Sequence, residues 1–257
     1  MRDSGLHEAI RAAGSVSELA RRIGISQPSV SNWDRIPAER VLTVESATGV
    51  NRAILRPDLF GAYAAGDIDE IDAARAQEYA LLSALLARAP DEGLLKRLAE
   101  LRGDASPLGL AHAALAEAAG ATQVERVERE YFDLFIGLGR GELLPYGSYY
   151  LTGFLHERPL ARLREDLRTL GIERAEGQVE PEDNAAILCE IMAGLASRRL
   201  GAPAGSDEQF FEKHLAPWIG RFFVDLERAS AAQFYRHVGT LGRVFMDIET
   251  EAFALPS

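Results

Sequence analysis

The residues best able to do chemistry lie in two short strings. Glu180-Pro181-Glu182-Asp183-Asn184 gathers three carboxylates and a carboxamide directly ahead of the apolar run Ala185-Ala186-Ile187-Leu188-Cys189-Glu190-Ile191-Met192. Upstream, Pro145-Tyr146-Gly147-Ser148-Tyr149-Tyr150 gathers three phenols and a hydroxyl. Carboxylates at a helix start with no histidine or thiol beside them have no partner for proton transfer or nucleophilic attack, so the acidic string predicts recognition and no chemical step. Ordinary helix-start chemistry, with Pro181 in the first turn and Glu182 and Asp183 complementing the helix dipole, also accounts for the acidic string. The tyrosine string tips the balance toward a ligand groove. On a helix starting near Pro181, Asn184, Leu188, Ile191 and Leu195 share one face and Asp183 falls about a quarter turn away. The expected groove therefore has Glu180, Glu182 and Asp183 as an acidic rim, Tyr146, Gly147, Ser148, Tyr149 and Tyr150 as its wall, and Asn184 as an inward, orienting hydrogen bonder.

Other chemistries find no support. Gly137-Leu138-Gly139-Arg140-Gly141 follows a helix and lacks the Lys-Ser/Thr that a nucleotide loop needs, so it is expected to be a flexible loop. His7, His112, His156, His214 and His237 are scattered without ligand spacing around a single cysteine, Cys189, so no metal site is expected. Ser148 lacks the Gly-x-Ser-x-Gly elbow of a hydrolase. Cys189 sits among apolar helical residues and is expected to be an inert core thiol, with Trp218, Phe222 and Phe223 also in the core. The expectation is a non-enzyme with no cofactor.

Apolar residues recur at spacings of three and four along the whole chain and strand-like alternation is nearly absent, so the 257 residues predict an all-α protein. Charge divides it. Residues 1 to 60 hold eight arginines against seven acids, a net of +1, whereas the remainder holds 20 basic against 32 acidic residues, a net of −12. Two glycines and three acids break the periodicity from Gly61 to Glu70, so residues 61 to 74 are expected to be a linker ahead of a larger helical domain at 75 to 257. Within the larger domain, Val124 to Ile136 is expected as one helix, and Glu208 to Ala229 as one long helix kinked at Pro217. No run of about 18 apolar residues exists and the chain opens without a charged-then-apolar leader, which predicts a cytoplasmic protein with no membrane insertion.

Within residues 1 to 60, Gly24-Ile25-Ser26 joins two short helices at helix-turn-helix spacing. Leu19, Ala20, Ile25, Val30 and Trp33 would face the core. Gln27, Pro28, Ser29, Ser31 and Asn32 would face outward near Arg21, Arg22 and Arg35, a set that suits base edges and phosphates. Ser29-Val30-Ser31-Asn32-Trp33, Ile36-Pro37-Ala38-Glu39-Arg40-Val41 and Thr48-Gly49-Val50 through Leu55-Arg56-Pro57-Asp58-Leu59 resemble the small Cro-type and YdaS-type DNA-binding domains. That resemblance implies DNA contact through residues 15 to 40, with Arg21, Gln27, Ser29, Ser31, Asn32 and Arg35 as the contacting residues. A net of +1 is low for a phosphate binder, so protein contact through the same fold remains the alternative.

In the larger domain, Tyr131-Phe132-Asp133-Leu134-Phe135-Ile136-Gly137, Pro145 to Tyr150, Glu180 to Asn184, His214-Leu215-Ala216-Pro217-Trp218 and Phe234-Tyr235-Arg236 resemble, in order and spacing, the TorD/DmsD/NarJ family. The resemblance is strong from about Tyr131 to Met246 and rests on helix pattern from Gln77 to Glu130. It implies an all-helical cytoplasmic chaperone for redox enzyme maturation, one that holds a molybdenum-cofactor oxidoreductase (molybdoenzyme) during assembly, often by its twin-arginine signal peptide. This chain has Asn184 where that family usually has His. The alternative is a transcriptional regulator whose TorD-like domain senses unassembled client oxidoreductase.

Overall fold

Each of the first three helices begins at a short polar side chain that satisfies an otherwise unpartnered amide. Asp3 Oδ1 accepts the Leu6 N–H at 2.9 Å ahead of α1 (Ser4–Ala13). Ser15 Oγ accepts the Glu18 N–H at 3.1 Å ahead of α2 (Val16–Arg22), and Ser26 accepts the Ser29 N–H ahead of α3 (Gln27–Ser31). Gly24, between α2 and α3, has φ 71°, a left-handed conformation that a Cβ disfavours, and this sets the turn of the helix-turn-helix. Helices α4 (Val41–Thr48) and α5 (Arg52–Leu55) close the unit. Leu6, Leu19, Val30, Ile36, Val41, Val44 and Leu55 are fully buried together. Ala20 is buried as expected, while Ile25 and Trp33 are half-buried against the same core. Glycine is required at position 5, where a Cβ would lie 2.0 Å from the Leu55 carbonyl oxygen.

This computed structural model describes residues 3–50, 52–56, 69–174, 177 and 179–255. No strand occurs among them, and the chain divides between Asp69 and Glu70 into two units. The expected linker needs correction at its C-terminal end: residues 61–68 lie outside the described residues, and residues 70–74 are the opening of α6 (Glu70–Ala87). Glu70, one of the three acids that marked the expected linker, occupies with Asp72 the first turn of α6, where the helix dipole favours negative charge.

The second unit continues with α7 (Glu92–Ala99), α8 (Pro107–Ala121) and α9 (Val124–Tyr131), the last running into a π-turn at Phe132–Ile136. Then come α10 (Gly147–Thr152), α11 (Arg158–Thr169), α12 (Ala185–Ala196), α13 (Ser206–His214), α14 (Ile219–Arg228) and α15 (Phe234–Phe253). Helix α12 is apolar almost all round and lies in the core against α6. The expected kinked helix is two helices, because Pro217 stands between the end of α13 and the start of α14. Trp218, Phe222 and Phe223 are buried as expected.

Two buried carboxylates tie distant helices together. Glu249, 1% exposed on α15, receives Arg75 of α6 at 2.8 and 2.9 Å and the Tyr79 hydroxyl at 2.9 Å, and Arg75 also pairs with Asp207 of α13 at 3.0 Å. Glu130 on α9 accepts the N–H groups of Gln233 at 2.8 Å, Phe234 at 3.1 Å and Tyr235 at 2.6 Å, satisfying the amides that open α15. The result is a rigid frame for the segments 137–152 and 179–185.

Candidate functional site

The two strings singled out in the sequence meet through their backbones. The Gly147 N–H donates to the Asp183 carbonyl at 2.9 Å and the Ala185 N–H to the Pro145 carbonyl at 2.8 Å, which pairs Tyr146 with Asn184 in one antiparallel bridge. A Cβ at residue 147 would lie 3.0 Å from the Trp218 indole nitrogen, so glycine lets α10 approach the core there.

Side-chain positions depart from the expected rim and interior. Helix α12 begins at Ala185, not near Pro181, and Asn184 is its N-cap, with its side-chain oxygen accepting the Ala186 N–H at 2.9 Å. Asn184 therefore orients the helix start. Asp183 is not at the rim: it is 3% exposed, and its Oδ2 accepts the Ser148 N–H at 2.7 Å. Its Oδ1 has no hydrogen-bond partner, nor has the hydroxyl of Ser148, a residue 1% exposed. A helical quarter-turn offset does not apply to Asp183, because the helix starts four residues after Pro181.

The other two acids are engaged. Glu180 receives the Tyr146 hydroxyl at 2.6 Å, and burial together with that carboxylate pushes the phenol well above its ordinary value. Arg164 holds Glu182 at 2.8 Å, with Arg174 at 3.9 Å. Burial alone would raise the Glu182 carboxyl, but the Arg164 hydrogen bond outweighs it and holds the group below its usual range.

Asp183 opens onto a cavity of about 390 Å³ whose lining includes Gly147, Leu151, Pro159, Asp166 and Trp218. Asp166 on α11 is 2.8 Å from His214 Nε2 and 3.5 Å from Lys213 Nζ. Leu151, 43% exposed, forms an apolar lip. Tyr149 and Tyr150 line a different cavity, of about 420 Å³, with Arg140, Glu142 and Arg221, so the tyrosines do not form one wall. Tyr150 lies between the two, its ring 5.4 Å from Trp218 and its hydroxyl 3.0 Å from Asp225. Sequence reasoning missed Asp166 and Leu151, which carry no local signal. It assigned Trp218 to the core alone, although the string His214 to Trp218 had marked that segment.

In the first unit, Gln27, Ser29 and Asn32 are exposed as expected, and so are Arg21 and Arg35. Ser31 is half-buried and accepts from Gln27 Nε2 at 2.7 Å. Arg21 is 2.6 Å from Glu18, whose carboxyl falls to about 2 through hydrogen bonds from Arg21 and Arg22. The local charge of this face is thus partly neutralised. Among the described residues no cluster of His, Cys, Asp and Glu could hold a metal ion, and no helix is long and apolar enough to cross a membrane. Cys189 is buried, which pushes its thiol up to about 12.

Residues 101–224 match the family described as nitrate reductase delta subunit, and residues 6–64 match the one described as bacterial toxin YdaS. Chaperone protein TorD of Vibrio cholerae serotype O1 is 29% identical over 126 residues, 46% of this chain and 57% of that protein. Chaperone protein TorD of Vibrio atlanticus is 26% identical over 135 residues, 49% of this chain and 63% of that protein. The chain thus spans little more than half the length of these curated relatives. A solved structure described as a redox enzyme maturation protein from Archaeoglobus fulgidus is 19% identical, with a TM-score of 0.47 over 67% of this chain and 93% of that one. The matched segments join a YdaS-like helix-turn-helix to a larger helical unit that, over residues 101–224, is similar to the nitrate reductase delta subunit family and to the TorD chaperones.

Proposed function

We propose that the larger unit is a chaperone for redox enzyme maturation, acting in the cytoplasm. It binds the twin-arginine signal peptide or body of a molybdenum-cofactor oxidoreductase and performs no chemical step. The observation that carries this reading is the buried, unpartnered Oδ1 of Asp183, a residue that lines the cavity of about 390 Å³. A buried acceptor without a donor costs about 1–3 kcal/mol, and a client guanidinium brings donors in a planar fork that relieves this cost on binding. The apolar run that follows the arginines in such a peptide finds Leu151, 43% exposed in the cavity lining, and Phe154, three residues on and 69% exposed. Glu180 and Glu182 serve as outer acceptors once the client replaces Tyr146 and Arg164, while Asn184 fixes the start of α12. The negative balance outside residues 1 to 60 speeds association with a basic segment. Calorimetry of the full chain with a twin-arginine peptide tests the reading: binding should exceed that of the Lys-Lys control, because ammonium groups cannot form the paired contact. Equal binding of both peptides would remove it.

A second role is favoured by the exposed polar set Gln27, Ser29 and Asn32 flanked by Arg21 and Arg35. In that reading the first unit binds DNA through residues 15 to 40, and the chain regulates transcription in response to unassembled client oxidoreductase. Operator binding should weaken by about 1–3 kcal/mol in Asn32→Ala and change when client peptide is added. Equal affinity of the unaltered chain for a random duplex would sink this role.

A further inference from the structure

We propose that the second cavity, between the 137–141 loop, α10 and α14, is a carboxylate subsite in which Arg140 and Arg221 receive an Asp or Glu side chain of a bound polypeptide. Arg140 stands over the Tyr149 ring at 5.5 Å and donates to the Tyr149 hydroxyl at 3.0 Å; Arg221 stands over the Tyr150 ring at 5.9 Å. Among the described residues neither guanidinium is paired with a carboxylate, and both arginines line the cavity with donors to spare.

The acids in the same lining are otherwise engaged. Glu142 accepts Ser230 N–H at 2.7 Å, Ser230 Oγ–H at 2.9 Å and Ala231 N–H at 3.0 Å, and Asp225 accepts the Tyr150 hydroxyl at 3.0 Å. Neutral donors hold both acids, which leaves the two arginines with a donor surplus.

The loop that presents Arg140 is pinned, not free. Gly137 N–H donates to Phe132 O at 2.7 Å, Glu142 N–H to Asp133 O at 3.1 Å and Leu143 N–H to Leu134 O at 2.8 Å, folding the segment back on the π-turn. A Cβ at residue 141 would lie 2.5 Å from the Leu134 carbonyl oxygen, so the close return needs glycine there. The glycine pattern that superficially suggested a phosphate loop thus serves to hold one arginine over one tyrosine.

A planar monoanion fits better than phosphate. Its two oxygens match the guanidinium fork, and it adds less negative charge beside Glu142 and Asp225 than a dianion would. Helix α10 lines both cavities, with Gly147 and Leu151 on the Asp183 cavity and Tyr149 and Tyr150 on this one. A polypeptide crossing α10 can therefore place a guanidinium in the first and a carboxylate in the second. The source of the carboxylate rests on the chaperone reading above; the chemistry of the subsite does not.

The test follows the side-chain Nε–H resonances of the full chain labelled with nitrogen-15, assigned through Arg140→Gln and Arg221→Gln. N-acetylglutamate α-amide should shift both resonances saturably, its glutamine isostere should shift neither, and each single variant should weaken the probe about tenfold, the loss of one charge-assisted contact. No shift with the glutamate probe, or tighter saturation by inorganic phosphate, would overturn the subsite. Twin-arginine peptides carrying a downstream Glu or Gln then test the source. A preference for the Glu peptide that disappears in Arg221→Gln supports it, and equal binding of the two peptides overturns it. If neither peptide binds while the small probe still shifts both arginines, the chaperone reading fails along with the polypeptide source, and the carboxylate chemistry of the cavity survives.

Discussion

Replacing Asp183 by asparagine separates the two things its carboxylate does. Oδ2 accepts the Ser148 N–H at 2.7 Å and ties residue 183 to the first turn of α10, whereas Oδ1 has no partner. Asparagine keeps a side-chain oxygen for the first bond and replaces a buried charge with a neutral amide, so unfolding free energy should stay within about 1 kcal/mol of the parent. Asp183→Ala removes the acceptor and strands the N–H of a residue 1% exposed, which should cost about 1–3 kcal/mol. Client binding should follow the charge. A guanidinium bond to a carboxylate is worth about 1.5–3 kcal/mol, so both variants should bind a twin-arginine peptide roughly 10- to 150-fold more weakly. Equilibrium denaturation and calorimetry on the same three proteins decide the matter. If asparagine binds the peptide as tightly as aspartate, or destabilises the fold as much as alanine, the open oxygen is not the recognition element and the reasoning fails.

Other expectations follow from packing and titration. Gly239→Ala would place a Cβ 2.5 Å from the Glu227 backbone nitrogen where α14 and α15 pack together, and overpacking of this kind should cost about 1–3 kcal/mol in chemical denaturation. Glu130→Ala leaves the Gln233, Phe234 and Tyr235 amides without their acceptor and should cost about 3 kcal/mol, with hydrogen exchange rising first at the start of α15. The Glu78 hydrogen bond raises the His112 imidazole above its ordinary value against the opposing effect of burial. Its contribution is therefore complete below about pH 6.5 and fades as pH climbs through the raised folded value. Burial lowers His214 in spite of the Asp166 hydrogen bond, so its contribution is present above that ordinary value and fades as pH falls through the lowered one. Denaturation of His112→Gln between about pH 5 and 8 should accordingly show stability rising with pH, and a falling profile would contradict this assignment.

Much of the helical organisation was legible because its signals are local. Gly24 and Ser26 punctuate the helix-turn-helix by a left-handed turn and by capping, and these preferences act within a few residues. The same kind of evidence misled at Glu70, since acids opening a helix and acids in a linker look alike until the helix behind them is seen to pack. Glu180, Glu182 and Asp183 were equivalent as letters. Once folded, one is bonded to a tyrosine, one is clamped by Arg164 from another helix, and one is buried with an unpartnered oxygen in the lining of a cavity.

The sequence by itself determined that the chain is helical and that it divides into a nearly neutral and a strongly acidic part, and it singled out the strings 145–150 and 180–184. Those properties depend on periodicity, capping and net charge, which are sums over neighbours along the chain. Tertiary structure alone decided which carboxylate is available, that Asn184 caps a helix, that Asp166 reaches the Asp183 cavity, and that Tyr149 and Tyr150 serve a second cavity with Arg140 and Arg221. Availability depends on burial and on partners far away in sequence, such as Arg164 for Glu182 and His214 for Asp166, and only packing brings those partners together.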